Sequence, residues 1–175
     1  VLALQGSVSE HRTSLERLGA EVKDVREPSD MKGLEGLIMP GGESTTLRKL
    51  LINSRLWKTV SNCDIPIMAT CAGAILMGKS KDETFEKMDF DIDRNYYGRQ
   101  KDSFEKEISL ANNKLFRGVF IRAPAITSLG KNTEAIAWDG DMIVGCKMNK
   151  HMALTFHPEL TEDIIFHQMW LDGLK

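Results

Sequence analysis

Two short stretches hold residues whose types and spacing could carry nucleophilic chemistry. The first is Ala69-Thr70-Cys71-Ala72-Gly73, a small-x-Cys-x-Gly pattern at the end of the apolar run Ile65 to Ala69. This is the thiol form of the nucleophile elbow, in which a strained strand-to-helix turn lifts the reactive atom out of a sheet. Small neighbours keep the turn and an incoming substrate clear. A cysteine at the start of a helix also meets unpaired backbone N–H groups that favour a thiolate. Free cysteine is more often a small buried hydrophobe, and the elbow pattern is what sets Cys71 apart from Cys63 and Cys146.

The second stretch is Phe156-His157-Pro158-Glu159. Proline biases its predecessor toward an extended conformation, and residues two apart in an extended chain point the same way. The Glu159 carboxylate is therefore expected beside the His157 ring, orienting it as base toward the Cys71 thiol. The other histidines are less suited. His11 falls in a predicted helix, His151 in a predicted turn and His167 in the last helix, so surface or satisfied structural roles are expected for all three.

Acyl chemistry also needs donors for a developing oxyanion. Pro40-Gly41-Gly42-Glu43-Ser44 follows a strong apolar run, so its glycines can present backbone N–H groups. Gly42 and the N–H of Ala72, just after the nucleophile, are the expected pair. Read alone, Pro-Gly-Gly is equally a turn whose Ser44 or Thr45 caps a helix. No GxGxxG occurs.

The elements that must position these residues follow from hydrophobic pattern. Val1 to Leu4 reads as a buried strand, and Ser7-x-x-Glu10 as a capping box opening an amphipathic helix that ends at Gly19. Glu21 to Val25 is a weaker strand and Gly36 to Met39 a stronger one. Leu47, Leu50 and Leu51 lie at helical spacing, Trp57 and Val60 belong to a further helix, and the Ile65 strand follows. Strands alternating with helices predict an α/β fold with a mostly parallel central sheet covered on both faces, and ligands at the carboxyl ends of its strands.

The second half changes rhythm. Phe90, Ile92, Phe104 and Ile108 suggest edge strands around Arg94-Asn95-Tyr96-Tyr97-Gly98-Arg99-Gln100. Asp139-Gly140-Asp141 between two apolar segments is a hairpin signal, and Met152 to Phe156 is a last strand. A helix from about Glu162 to Leu174, capped by Thr161, closes the chain.

At 175 residues, 42% hydrophobic and 27% charged, the chain is expected to form one domain over 1–175 with a real core. A net charge of -2 without a basic run gives no footprint for nucleic acid, and no apolar segment has the length of a membrane span. Three irregularly spaced cysteines fit neither a zinc site nor a disulfide scaffold. No metal or other cofactor is expected, and a reducing cytoplasm is the expected location. The chain opens on Val1-Leu2-Ala3-Leu4, so a few N-terminal residues are expected to be missing.

Together these residues carry a resemblance. Cys71 with His157-x-Glu159 resembles the class I, or triad, glutamine amidotransferases. More narrowly, the chain is similar to the glutaminase subunits of two-component pyridoxal 5′-phosphate synthases. The narrower likeness rests on Leu4-Gln5-Gly6, Pro40 to Thr46, Thr70 to Gly73, Arg94-Asn95 through Gly98-Arg99-Gln100 with Asp102-Ser103-Phe104, Phe120-Ile121-Arg122-Ala123-Pro124, and Phe156 to Thr161. It departs at Lys79 to Asp89, which is charged where a Gly-Leu-rich approach is usual.

The resemblance implies a flavodoxin-like glutaminase architecture with additional strands in the second half. It implies hydrolysis of L-glutamine to L-glutamate and ammonia through a Cys71 thioester, with ammonia passed inside a hetero-oligomer to a synthase subunit that makes the vitamin B6 cofactor. It also places Gly42, Glu43, Ser44, Arg94, Ile121 and Arg122 around glutamine, and leaves open which arginine meets which group. A glutaminase of another pathway and a catalytically silent binding module of the same fold are the alternatives.

Overall fold

The computed structural model describes residues 1–96 and 103–175. The element order is α1 (Val8–Arg17), β1 (Leu37–Met39), α2 (Ser44–Asn53), α3 (Leu56–Asn62), β2 (Ile67–Thr70), α4 (Ala72–Met77), β3 (Phe90–Asp93), β4 (Ser103–Leu110), β5 (Leu115–Ile121), β6 (Ala125–Leu129), β7 (Glu134–Asp139), β8 (Met142–Met148), β9 (His151–Leu154) and α5 (Ile165–Asp172). Seven strands form one sheet in the order β1-β2-β9-β8-β7-β4-β5, and β3 pairs with β6 in a second sheet.

The parallel part of the sheet belongs to the first half of the chain and β9. β1 runs parallel to β2, and β2 parallel to β9. The strands of the second half continue the same sheet in antiparallel pairs, β9 with β8, β8 with β7, β7 with β4 and β4 with β5. Central strands buried on both faces should be apolar without alternation, and β1 and β2 are fully buried throughout. Successive side chains then feed two cores. Leu37, Met39, Ile67 and Ala69 pack with Leu47, Leu51, Leu56, Val60 and the apolar residues of α4 on one face. Ile38, Met68, Met152 and Leu154 pack with Leu15, Phe166 and Trp170 on the other.

Several local expectations change. The segments Val1 to Leu4 and Glu21 to Val25 do not form full strands. They meet at one parallel bridge, Leu2 with Val25, while the Leu2 N–H donates to the Ile38 carbonyl at 2.8 Å. The capping box at Ser7 does not form, since Ser7 makes no side-chain cap and the Glu10 carboxylate takes the Ser9 hydroxyl instead. β9 starts earlier than expected, at His151 rather than Met152, because the His151 ring accepts the Ile67 N–H at 3.0 Å and ties the two strands together. The last helix starts at Ile165, with Asp163 accepting its N–H, while the Thr161 hydroxyl serves the Pro158 and Asp163 carbonyls. The Asp139-Gly140-Asp141 hairpin forms between β7 and β8, with Gly140 at φ 57°.

Candidate active site

Cys71 stands where β2 passes into α4, at φ 48° and ψ -109°. L-residues rarely adopt such a backbone, and it persists only where the surroundings over-determine it. The surroundings do so here. The Cys71 N–H donates to the Leu154 carbonyl at 2.8 Å, and its own carbonyl accepts from Ile75. A Cβ on Gly73 would stand 2.3 Å from the Met39 carbonyl oxygen. The glycine of the elbow is thus required by the end of β1, a packing reason rather than a substrate one. Cys71 itself is only 4% exposed.

His157 is brought over the thiol by two neighbours in sequence and one in space. Its N–H donates to the Val119 carbonyl of β5 at 2.8 Å. Before it, Phe156 is fully buried in an aromatic cluster, at 5.3 Å from Phe166 and 5.6 Å from Phe120. After it, Pro158–Leu160 forms a 3-10 turn. The Nδ1 of His157 lies 2.7 Å from Oε1 of Glu159. The expected pair is present, but the turn places the carboxylate, where an extended chain was expected to do so. The imidazole also lies beside the Cys71 side chain, both being pressed against Gly41. With Nδ1 taken by Glu159, Nε2 is the nitrogen left for sulfur.

The charges follow from this geometry. Burial works against an imidazolium at His157, yet the hydrogen bonds to Cys71 and Glu159 and their negative charge prevail and raise it to about 10. Burial also works against the Glu159 carboxylate, and the His11 and His157 rings beside it outweigh that and hold it below the usual range. A histidine held cationic by a buried carboxylate is suited to partner a thiolate and to give a proton to a leaving amine.

The glycine-rich loop lies on top of this pair. A Cβ on Gly41 would be 2.6 Å from His157 Cε1 and 3.0 Å from Cys71 Cβ. Gly41, not singled out in the sequence, is the residue pressed against both reactive side chains. Its neighbour Gly42, at φ 127°, faces Gln5, whose amide Nε2 donates to the Glu43 carbonyl at 2.9 Å. A Cβ on Gly6 would strike the Gly41 carbonyl oxygen at 2.2 Å, so the Gln5-Gly6 and Gly41-Gly42 loops are interlocked. Ala72 is the first residue of α4, so its N–H has no intrahelical acceptor.

The remaining residues named from the sequence fall into two groups. Ile121 ends β5 beside the thiol, with its carbonyl 3.7 Å from Cys71 Sγ and its side chain exposed. Arg122 follows at φ 46°, exposed and without an ion pair among the described residues. Glu43 caps α2: burial works against its charge, yet bonds from the Thr46 hydroxyl and the Thr45 and Thr46 N–H groups together prevail and lower it to about 2. Arg94 joins this second group. It donates to Thr45 Oγ1 and Asp82 Oδ2, both at 2.9 Å, and to Glu43 Oε1 at 3.3 Å, so its guanidinium is already engaged. Ser44 opens α2 and is buried. The Tyr97-Gly98-Arg99-Gln100 and Asp102 part of the resemblance lies outside the described residues.

Two buried histidines complete the surroundings. His11 and His167 are fully buried, with His11 Nδ1 2.9 Å from His167 Nε2 and His11 Nε2 3.4 Å from Glu159 Oε2. Burial lowers His11 to about 4, in spite of Glu159, and His167 to about 3. Among the described residues, no group of three or more histidine, cysteine, aspartate or glutamate side chains is arranged to hold a metal ion. No helix among them is long and apolar enough to cross a membrane.

Comparison with known proteins places the chain in a lineage. Residues 1–174 match the model of the SNO glutamine amidotransferase family. The pyridoxal 5′-phosphate synthase subunit PdxT of Methanocaldococcus jannaschii is 47% identical over 93% of this chain and 90% of its own length. A protein of the same name from Thermus thermophilus is 41% identical over 98% of this chain and 95% of its own. The crystal structure of a glutamine amidotransferase superimposes with a TM-score of 0.91 at 38% identity, covering 99% of this chain and 96% of that one. A Thermotoga maritima glutamine amidotransferase, 13% identical over 97% of this chain and 81% of its own, shares the fold at a TM-score of 0.62. The chain belongs to the SNO glutamine amidotransferase family.

Proposed function

We propose that residues 1–175 form one glutaminase domain that hydrolyses L-glutamine to L-glutamate and ammonia. Ammonia passes to a separate synthase subunit for pyridoxal 5′-phosphate formation, the assembly named in the PdxT relatives. The observation that carries the chemistry is the Cys71–His157–Glu159 chain, with Nδ1 of His157 2.7 Å from Glu159 and the same ring beside the thiol of the elbow.

Cys71 Sγ attacks the side-chain amide carbon of glutamine, and the N–H groups of Gly42 and Ala72 receive the oxyanion. His157 gives its proton to the departing ammonia, leaving a γ-glutamyl thioester on Cys71. The ring, now neutral, takes a proton from water as the water attacks the thioester. Glutamate leaves and the thiol is restored, so one glutamine and one water yield one glutamate and one ammonia. Glu159 keeps the ring oriented through both steps.

Gly42, Glu43, Ser44, Arg94, Ile121 and Arg122 surround the glutamine. Arg94 holds the Glu43 end of the loop in place, while the exposed Arg122 guanidinium is available for a carboxylate. The reaction needs no cofactor, and the cytoplasm is the proposed location. The test is glutamate release by the purified chain with and without a synthase subunit. Release that requires Cys71 supports the reading, and no release in either condition with a competent partner overturns it.

A further inference from the structure

We propose that His11, locked in place by His167, is a positioning residue for the reaction, holding the second carboxylate oxygen of Glu159 while His157 holds the first. The proposal rests on the triad reading above and extends it by two helices.

The triad leaves one carboxylate oxygen unaccounted for. Glu159 is 5% exposed, and its Oε1 is taken by His157. Its Oε2 is buried without a hydrogen-bond partner among the described residues. A buried carboxylate oxygen left in that state is costly. His11 Nε2, from α1, stands 3.4 Å away, and the same nitrogen is 3.3 Å from the Thr70 hydroxyl oxygen. Bonds of this kind are often long in the free enzyme and tighten when substrate binds.

Proton placement along the chain of rings then selects one tautomer. His11 Nδ1 and His167 Nε2 are 2.9 Å apart, so one donates and the other accepts. If His11 Nδ1 held the proton, a lone pair on His11 Nε2 would face the Glu159 carboxylate. His167 Nδ1, which is buried without a partner among the described residues, would then carry an orphaned N–H. In the opposite arrangement His167 Nε2–H donates to His11 Nδ1, and His11 Nε2–H donates to the Thr70 hydroxyl with Glu159 Oε2 3.4 Å away. Only an acceptor is then left unpaired at His167, the more tolerable of the two defects. The hydrogen-bond network thus puts a donor nitrogen 3.4 Å from the free carboxylate oxygen, its proton shared with the Thr70 hydroxyl in this state. Both rings are neutral at neutral pH, as their lowered values require.

The path His167, His11, Glu159, His157, Cys71 joins α5, α1, the turn after β9 and the elbow through side chains that are all buried. It fixes the carboxylate from both sides, and the carboxylate fixes the imidazole.

The test uses the chain with saturating synthase subunit and compares wild type, His11→Asn, His11→Gln, Glu159→Gln and the double variant His11→Asn/Glu159→Gln. A glutamine amide can place an N–H near the position of Nε2, whereas an asparagine amide stays near Nδ1 and withdraws the donor from Oε2. Loss of one hydrogen bond to a charged group should lower kcat about tenfold for His11→Asn, with KM unchanged. His11→Gln should restore most of it, and His11→Asn should cost nothing more once Glu159 is Gln. Should the Asn variant not fold, His11→Leu takes its place in the same comparison. Equal losses in the two backgrounds, equal losses for the two amides, or wild-type kcat for the donor-free variant would each overturn the proposal. Wild-type kcat in Glu159→Gln alone would instead overturn the triad reading.

Discussion

His157 Nδ1 and Glu159 Oε1 lie 2.7 Å apart across a 3-10 turn that begins at Pro158. The bond is short, buried and charge-assisted, so it both aims the ring and favours its protonated form. Cys71→Ala should abolish glutamine hydrolysis while leaving the fold intact, since the side chain is small and the turn is held by backbone bonds. Glu159→Gln should cost less, because the imidazole loses orientation and charge support but remains present. Iodoacetamide should modify Cys71 ahead of Cys63, whose thiol donates to the Val60 carbonyl, and Cys146 last, because burial pushes that thiol up to about 12. Steady-state assays and peptide mapping check both points, and Cys63 modified first would count against the assignment.

Gly41 tests the site from the other side. A methyl group there would meet His157 Cε1 at 2.6 Å and Cys71 Cβ at 3.0 Å, neither of which is the free end of a flexible chain. Gly41→Ala should therefore displace the ring or the thiol rather than unfold the protein. A misplacement of ~1 Å near reacting groups costs on the order of a hundredfold in rate. The expected result is a kcat reduced to that extent with a near-native melting temperature, and an unchanged kcat would show that the loop yields.

Stability should fall on both sides of neutrality for different histidines. His11 and His167 have folded values lowered from 6.5 to about 4 and about 3, so the unfolded chain binds more protons below pH 6.5. Their contribution is present above 6.5 and is lost as pH falls toward 4 and 3. His157 is shifted the other way, to about 10, so its contribution is present below 6.5 and fades as pH rises toward 10. Thermal melts across this range should give a dome, and His167→Leu should flatten the acid side only. An acid slope unchanged by that substitution would remove His167 from the explanation.

The grouping of Cys71, His157 and Glu159 was legible because local pattern encodes it. The elbow needs Ala69 and Gly73 around Cys71, and Pro158 between His157 and Glu159 limits the chain to a few conformations. What escaped is what tertiary packing decides. His11 looks like any polar residue on an amphipathic helix until α1 packs against the Pro158–Leu160 turn and buries it. Ser7 and Glu10 have the spacing of a capping box, but the nearer Ser9 hydroxyl takes the carboxylate. Val1 to Leu4 has the composition of a strand, yet its partner segment is too polar to extend the pairing beyond Leu2 and Val25. Gly41 and Gly42 differ only in what lies opposite each, which no single-sequence pattern contains.

The isolated chain should be a poor glutaminase whose site is completed by the synthase subunit. Two successive glycines let the peptide unit between them take either of two orientations at little steric cost, and only one would aim an N–H at the oxyanion. Gly42 stands at φ 127°, and the next carbonyl, that of Glu43, is held by the Gln5 amide at 2.9 Å. Gln5 lies in the loop after the first segment, so a partner pressing on that loop would act directly on the glycine peptide. One oxyanion donor is worth about 3 to 4 kcal/mol in the transition state, so its misplacement costs on the order of a hundredfold to a thousandfold. Ammonia would then be released only when a recipient is docked. In a titration with synthase subunit, kcat should rise by a factor of this order and saturate at complex formation. Gln5→Ala should reduce that stimulation more than it reduces the basal rate. A kcat that stays constant across the titration would mean that the glycines form a fixed turn, and would exclude gating while leaving Cys71, His157 and Glu159 in their roles.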